Sequence, residues 1–260
     1  MNPTSGFVDR GWEVFDQDDD LISWTQSIKE TALVAAQDPT HAHWCRHQRT
    51  WFVGVNALPN DAEGAVNDGP PLLCRALSFA QQIYGLLPLD LAQVSIAYPG
   101  YPKQDRGETD AAHGFRKNRD AAHVDGLKSI GPEKRRKLDE PHAFILGVPL
   151  SNSTDAPLVV WDKSHQIIGK AFRHALGGIT PDEWSSIDLT DTYQKARKQV
   201  FDTCRRIELP VVEGQATLLH RFTLHGVAPW ANAASDFSQR AIVYFRPTFP
   251  EGSDRYLELP

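Results

Sequence analysis

A histidine and an aspartate two positions apart, in Ala121-Ala122-His123-Val124-Asp125-Gly126, are the first residues here whose types and spacing could hold a metal ion. In an extended chain, side chains two apart project from one face, so His123 and Asp125 can reach the same ion. Imidazole and carboxylate together suit Fe(II), and two histidines with one carboxylate on one face leave positions open for oxygen and a co-substrate. Alone, the triplet is weak evidence. With ten histidines in the chain, about one such triplet arises by chance, and a turn aspartate beside a surface histidine accounts for it as well.

A second segment, Glu213-Gly214-Gln215-Ala216-Thr217-Leu218-Leu219-His220-Arg221-Phe222-Thr223-Leu224-His225-Gly226, leads from a turn glycine into a strand and closes on His-Gly. It offers two histidines, His220 and His225, as a third ligand. After Pro229 and a polar loop comes Gln239-Arg240-Ala241-Ile242-Val243-Tyr244-Phe245, an apolar strand that opens on a charge. If Arg240 points inward it needs an anionic partner, and its planar fork matches a carboxylate bidentately. Snorkelling at the strand end is the plainer alternative. Arg246 falls on the same face, but it precedes Pro247 at the far end and suits a surface role.

Taken in order, these three pieces resemble the 2-oxoglutarate/Fe(II) oxygenases of the phytanoyl-CoA dioxygenase-like group, over residues 94–245. The resemblance implies a double-stranded β-helix, a jelly-roll core of the cupin kind. It also implies Fe(II) held by His123, Asp125 and His225, with His225 preferred to His220 because it occupies the family's distal position before a glycine. Arg240 is implied as the anchor for the far carboxylate of 2-oxoglutarate, and Tyr98, before Pro99-Gly100, as a second contact. Pro157-Leu158-Val159-Val160-Trp161-Asp162-Lys163-Ser164-His165 resembles the family's strand ending in Gly-Ser-His, with Lys163 in place of the glycine and Trp161 a candidate substrate contact. The implied reaction consumes O2 and 2-oxoglutarate, releases succinate and CO2, and hydroxylates a small molecule. Related halogenases replace the carboxylate by a small residue, so Asp125 points to hydroxylation or a related oxidation. Two other classes share parts of this pattern. A cupin-like metalloenzyme without 2-oxoglutarate has no need of Arg240, and a non-catalytic jelly-roll binding protein would show no 2-oxoglutarate-dependent oxygen uptake.

The elements that must position these residues read as helices first and strands afterwards. Leu21, Trp24, Ile28 and Leu33 recur at helical spacing over residues 21–36, behind three aspartates at the favoured end. Residues 71–87 predict a second helix. From there short β-rich runs follow at 92–98, 143–149, 157–161, 207–212, 216–220 and 241–245, separated by turn residues. Thr180-Pro181-Asp182-Glu183 reads as a helix start with a capping box. The expected organisation is one domain over residues 1–260: a helical flank over 1–90, and a mainly β core over 91–250 with a helical insertion at 180–204.

Composition narrows the rest. With 260 residues, 41% hydrophobic and 23% charged, the chain reads as an ordinary globular enzyme. A net charge of -6 argues against nucleic acid as partner. Three scattered cysteines suggest a reducing compartment. There is neither a signal-like N-terminus nor an apolar run long enough to span a membrane, so the expected location is the cytoplasm. No pattern specifies an oligomeric state. His41, His43, Cys45 and His47 would share one face of an extended strand, though four positions on one strand spread too far to surround a single zinc. Basic runs at 116–119 and 134–137 bracket the His-x-Asp. They are either solvated faces or a mouth that attracts an acidic substrate through Arg116, Arg119 and Lys128.

Overall fold

The computed structural model describes residues 3–231 and 235–258. Twelve strands are found among them: β1 (Trp12–Phe15), β2 (Cys45–Arg46), β3 (Trp51–Phe52), β4 (Gln93–Ala97), β5 (Leu127–Ile130), β6 (Arg135–Leu138), β7 (Phe144–Pro149), β8 (Leu158–Trp161), β9 (Arg206–Leu209), β10 (Ala216–His220), β11 (His225–Val227) and β12 (Arg240–Phe245). The helices are α1 (Pro3–Arg10), α2 (Asp19–Ala35), α3 (Arg75–Tyr84), α4 (Asp110–Asn118), α5 (Ser164–Leu176), α6 (Thr190–Thr203) and α7 (Arg255–Glu258).

A seven-stranded sheet runs in the order β1-β10-β7-β12-β4-β3-β2, and a three-stranded sheet in the order β11-β8-β9. Every pairing is antiparallel. Along the chain, β7 lies in the large sheet, β8 and β9 in the small one, β10 in the large, β11 in the small and β12 in the large. This repeated crossing between two facing sheets is the double-stranded β-helix. The alternation within strands explains why both sheet faces are buried. On β12, Ile242 and Tyr244 turn toward the small sheet, joining Ile145, Leu158, Val160 and Leu219 in the inter-sheet core. Ala241, Val243 and Phe245 turn the other way, into a cluster with Trp24 and Ile28 of α2 and Phe79 and Tyr84 of α3.

The helix over 21–36 begins slightly earlier, at Asp19, because the Asp18 carboxylate accepts from the Asp20 amide at 3.2 Å and caps it. The helix over 71–87 is shorter, Arg75–Tyr84, ended by Gly85 at φ 77. Treating residues 1–90 as a helical flank needs correction: they carry α1–α3 but also β1, β2 and β3, which widen the large sheet at both edges. Such two- to four-residue strands have too little pattern to be recognised locally. The insertion is also larger than residues 180–204, since α5 opens it and packs on α6. At Thr180 the hydroxyl and the Glu183 carboxylate do meet, at 2.7 Å, but the element is a 3-10 turn, Pro181–Ser186.

The segment containing His41 and His43 is likewise not extended. Residues Pro39–Trp44 form a 3-10 turn, and the His41 and His43 rings bond to the carbonyls of Ala35 and Thr40. Finally, β5 and β6 form a separate hairpin, hidden in the sequence because its residues are mostly charged.

Candidate metal centre

Asp120 and Ala121 both adopt positive φ, 52° each, immediately before His123. Two consecutive left-handed non-glycine residues are strained, and a clamp holds them. The Arg206 guanidinium donates to both carboxylate oxygens of Asp120, at 2.7 and 2.8 Å, and Asp120 is 1% exposed. The Asp120 carbonyl accepts from the Val227 amide at 3.0 Å, tying the turn to β11. His123 then pairs with His225 through reciprocal backbone hydrogen bonds of 2.8 and 3.0 Å. The His-x-Asp thus extends the small sheet by one residue pair beside β11.

This pairing puts the two imidazoles 4.7 Å apart, centroid to centroid. The His123 Nε2 lies 3.2 Å from an Asp125 oxygen and the His225 Nε2 3.8 Å from the same oxygen. One ligand atom from each of the three residues falls within 4.8 Å of the others. The Nδ1 of His123 is 3.0 Å from the Ala121 carbonyl, and that of His225 is 2.9 Å from the Thr223 carbonyl. A carbonyl can only accept, so each Nδ1 carries the proton and each Nε2 lone pair faces the centre. Burial opposes ionisation of Asp125. Its contacts with the His123 ring, the His225 ring and the Arg246 guanidinium outweigh it and hold the carboxyl well below its ordinary range. Burial pushes the His225 imidazole down to about 4. An anionic carboxylate beside a neutral imidazole is the state a divalent cation requires.

Two glycines of the pattern have steric reasons. A Cβ on Gly226 would stand 2.1 Å from the Asp120 carbonyl oxygen, and one on Gly126, at φ 83, would stand 2.1 Å from that of Glu140. Gly226→Ala is therefore expected to push β11 off the Asp120 turn. Thermal unfolding should report a loss of about 1–3 kcal/mol or more, the usual cost of overpacking, and Mn(II) affinity should fall with it. An unchanged melting temperature would contradict the close approach. Lys163, where the resembling strand has glycine, adopts φ 62. It is held there by its own ammonium on Asp9 and by its amide on the Arg10 carbonyl.

His220 lies on the other face of the large sheet, its ring 5.0 Å from that of His165 and its Nδ1 accepting from the Phe222 amide. Inside the barrel, a cavity of about 180 Å³ is walled by Trp51, Ile145, Leu158, Val227 and Tyr244, with Gln93, Ser95 and Arg246 as polar contacts beside the three candidate ligands. The surface reading of Arg246 is corrected: it turns inward, and its Nη1 lies 3.7 Å from Asp125. Arg240 is 3% exposed, and its Nη2 finds no hydrogen-bond partner among the described residues. It sits on the rung Arg240–Ala97–Trp51, so the neighbour that walls the cavity stands two strands away.

Tyr98 does not face this cavity. Ser95 and Ala97 point inward, so the alternation turns Tyr98 outward against the helix-side cluster. Gln93 and Ser95, which do face inward, carry no motif that would have singled them out. Trp161 is turned the same way as Tyr98, buried with its ring 5.3 Å from Phe201. Lys128 is exposed on β5 and engaged with Asp139 and Glu140. Arg119 lies 4.7 Å over the Phe201 ring. Of the proposed substrate cations only Arg116 reaches a cavity next to the ligands, one on their outer side, where it is bound to Glu108 at 2.8 Å. Glu108 belongs to a further cluster with His47 and Asp105. There the Asp105 carboxylate caps the left-handed turn at His47 and Gln48 through their amides.

No protein-family model and no curated protein matches the sequence. Solved structures to which the chain is similar include the non-heme alpha ketoglutarate dependent carbocyclase SnoK from nogalamycin biosynthesis. It shares 12% identity at TM-score 0.45, over 98% of this chain and 88% of that one. HygX from Streptomyces hygroscopicus, solved with nickel, 2-oxoglutarate and hygromycin B, shares 13% identity at TM-score 0.47, over 96% and 88%. EctD from S. alaskensis with bound Fe shares 12% at TM-score 0.42, over 99% and 83%.

Proposed function

We propose that this chain is an Fe(II)- and 2-oxoglutarate-dependent oxygenase that hydroxylates a small molecule, with His123, Asp125 and His225 as the metal ligands. The observation that carries the reading is the convergence of two Nε2 lone pairs and one carboxylate at the end of an apolar cavity. Two histidines and one carboxylate suit Fe(II) and leave positions for co-substrates. When bound, the iron couples oxidative decarboxylation of 2-oxoglutarate, giving succinate and CO2, to oxidation of the substrate by O2.

The protein's share is positioning. The Ala121 and Thr223 carbonyls fix the tautomers and ring planes of the two histidines. Arg240 supplies a buried guanidinium for the far carboxylate of 2-oxoglutarate, and a buried cation without an anion is costly enough to need one. The apolar walls of the inner cavity lower the dielectric on that side of the three residues, which strengthens the electrostatic contacts there. Three unpaired thiols, Cys45, Cys74 and Cys204, suit a reducing compartment, and we place the enzyme in the cytoplasm.

The test is oxygen uptake by the Fe(II)-loaded protein with and without 2-oxoglutarate, read together with succinate release. Uptake and succinate that both require 2-oxoglutarate support the proposal. Metal binding with neither would assign the chain to another class of metalloprotein.

A further inference from the structure

Two cavities meet at the metal centre, and they share only His123 and Asp125. The inner one is mostly apolar, with Gln93, Ser95 and Arg246 as its polar contacts. The outer one, of about 540 Å³, lies between α4, the β6 strand and α6 and presents three guanidiniums, Arg116, Arg136 and Arg197. Asp125 is the one carboxylate among the residues that line it.

The three cations are not equivalent. Arg116 is neutralised by Glu108. Arg136 and Arg197 have no carboxylate partner among the described residues. Arg197 does not extend into solvent as an ordinary surface side chain would. Its guanidinium lies 5.1 Å from the Phe115 ring centroid and 5.3 Å from that of Tyr193, so aromatic faces hold it in place. Tyr193 is itself buried, and its hydroxyl accepts from the amide of Val124, the residue between the two ligands, at 3.2 Å. Arg197, a fixed hydroxyl and the backbone between His123 and Asp125 therefore form one connected unit, and Arg136 lines the same cavity. By contrast Lys198, one residue further along α6, is exposed and paired with Asp202.

We propose that the outer cavity binds the oxyanion of an acidic small-molecule substrate, a carboxylate or a phosphoester, with Arg136 and Arg197 as its anchors. Held there, the molecule's remainder lies against His123 and Asp125. That the anion is a substrate rests on the oxygenase reading; that it binds does not. Two unpaired guanidiniums beside a low-dielectric wall concentrate anions even in a protein of net charge -6.

Calorimetric titration of the Mn(II)-loaded protein, saturated with 2-oxoglutarate under anaerobic conditions, tests this with three probes: phenyl phosphate, benzoate and benzyl alcohol. Either oxyanion should bind at least about tenfold more tightly than the alcohol, as charge-assisted hydrogen bonds predict, and whichever binds identifies the head group. The Arg136→Gln/Arg197→Gln double variant should lose that preference, while Arg197→Lys, which keeps the charge, should retain part of it. Raising the salt concentration should weaken oxyanion binding and leave the alcohol unaffected. Equal binding of all three probes, binding of none, or an unchanged preference in a folded double variant would overturn the proposal. The titration of 2-oxoglutarate itself judges the oxygenase reading separately: its failure to bind would remove that reading while the oxyanion result still decides the cavity.

Discussion

Asp125→Ala is expected to abolish 2-oxoglutarate-dependent turnover while the protein stays folded. The carboxylate is the only anionic member of the triad, and it is held ionised by His123, His225 and Arg246 against the cost of burial. Its removal leaves two neutral imidazoles and a nearby guanidinium, Arg246, whose charge then repels a cation. Changes to groups that merely support a ligand cost about 10–100-fold in metal affinity or activity, so deleting a charged ligand should exceed about 100-fold in both. Asp125→Asn separates charge from shape: it keeps the volume and can still bond to His123, yet should lose metal nearly as completely. Mn(II) affinity followed by electron paramagnetic resonance, with circular dichroism as the control for folding, checks both variants. Wild-type metal affinity in Asp125→Ala would sink the triad.

Arg240→Gln should raise the KM for 2-oxoglutarate by about 30-fold or more, equivalent to about 2 kcal/mol, the scale of a hydrogen bond to a charged group. The turnover number at saturation should change far less, because in the proposed role the residue binds the far end of the co-substrate and not the reacting atoms. Arg240→Lys should recover part of the loss but not all, since an ammonium cannot reproduce the two parallel bonds of the fork. The rival is Arg246, which walls the inner cavity. Should Arg246→Gln raise the KM while Arg240→Gln does not, the anchor lies at the opposite end of β12, beside Asp125. Without added 2-oxoglutarate, the Arg240 variant should melt at a temperature equal to or above that of the wild type, because a buried unpaired charge has been removed.

Much of the site was legible because its signals are local. A two-residue spacing dictates a shared face on any extended chain, so His123 and Asp125 could be paired without knowing what surrounds them. The strands over β7, β8, β10 and β12 were visible because both faces are buried, leaving unbroken apolar runs. Glycines at 126 and 226 were visible as letters, although their cause, a carbonyl 2.1 Å from any Cβ, was not.

What the sequence by itself determined, then, is which residues can bind a metal and which segments must be buried strands, for these follow from side-chain chemistry and from the two-residue period of the β-strand. Which way a given side chain points was decided only in three dimensions. Tyr98 and Trp161 turn toward the helices, and Gln93, Ser95 and Arg246 turn into the barrel, because strand register is fixed by partners far away in the chain. A slip of one residue would exchange the two sets. The Asp120–Arg206 clamp spans 86 positions, and Arg136, Tyr193 and Arg197 converge only when the β6 strand and α6 pack beside the ligand loop. Contacts of that separation leave no periodicity in either segment, so the outer cavity and its unpaired cations are products of the tertiary fold.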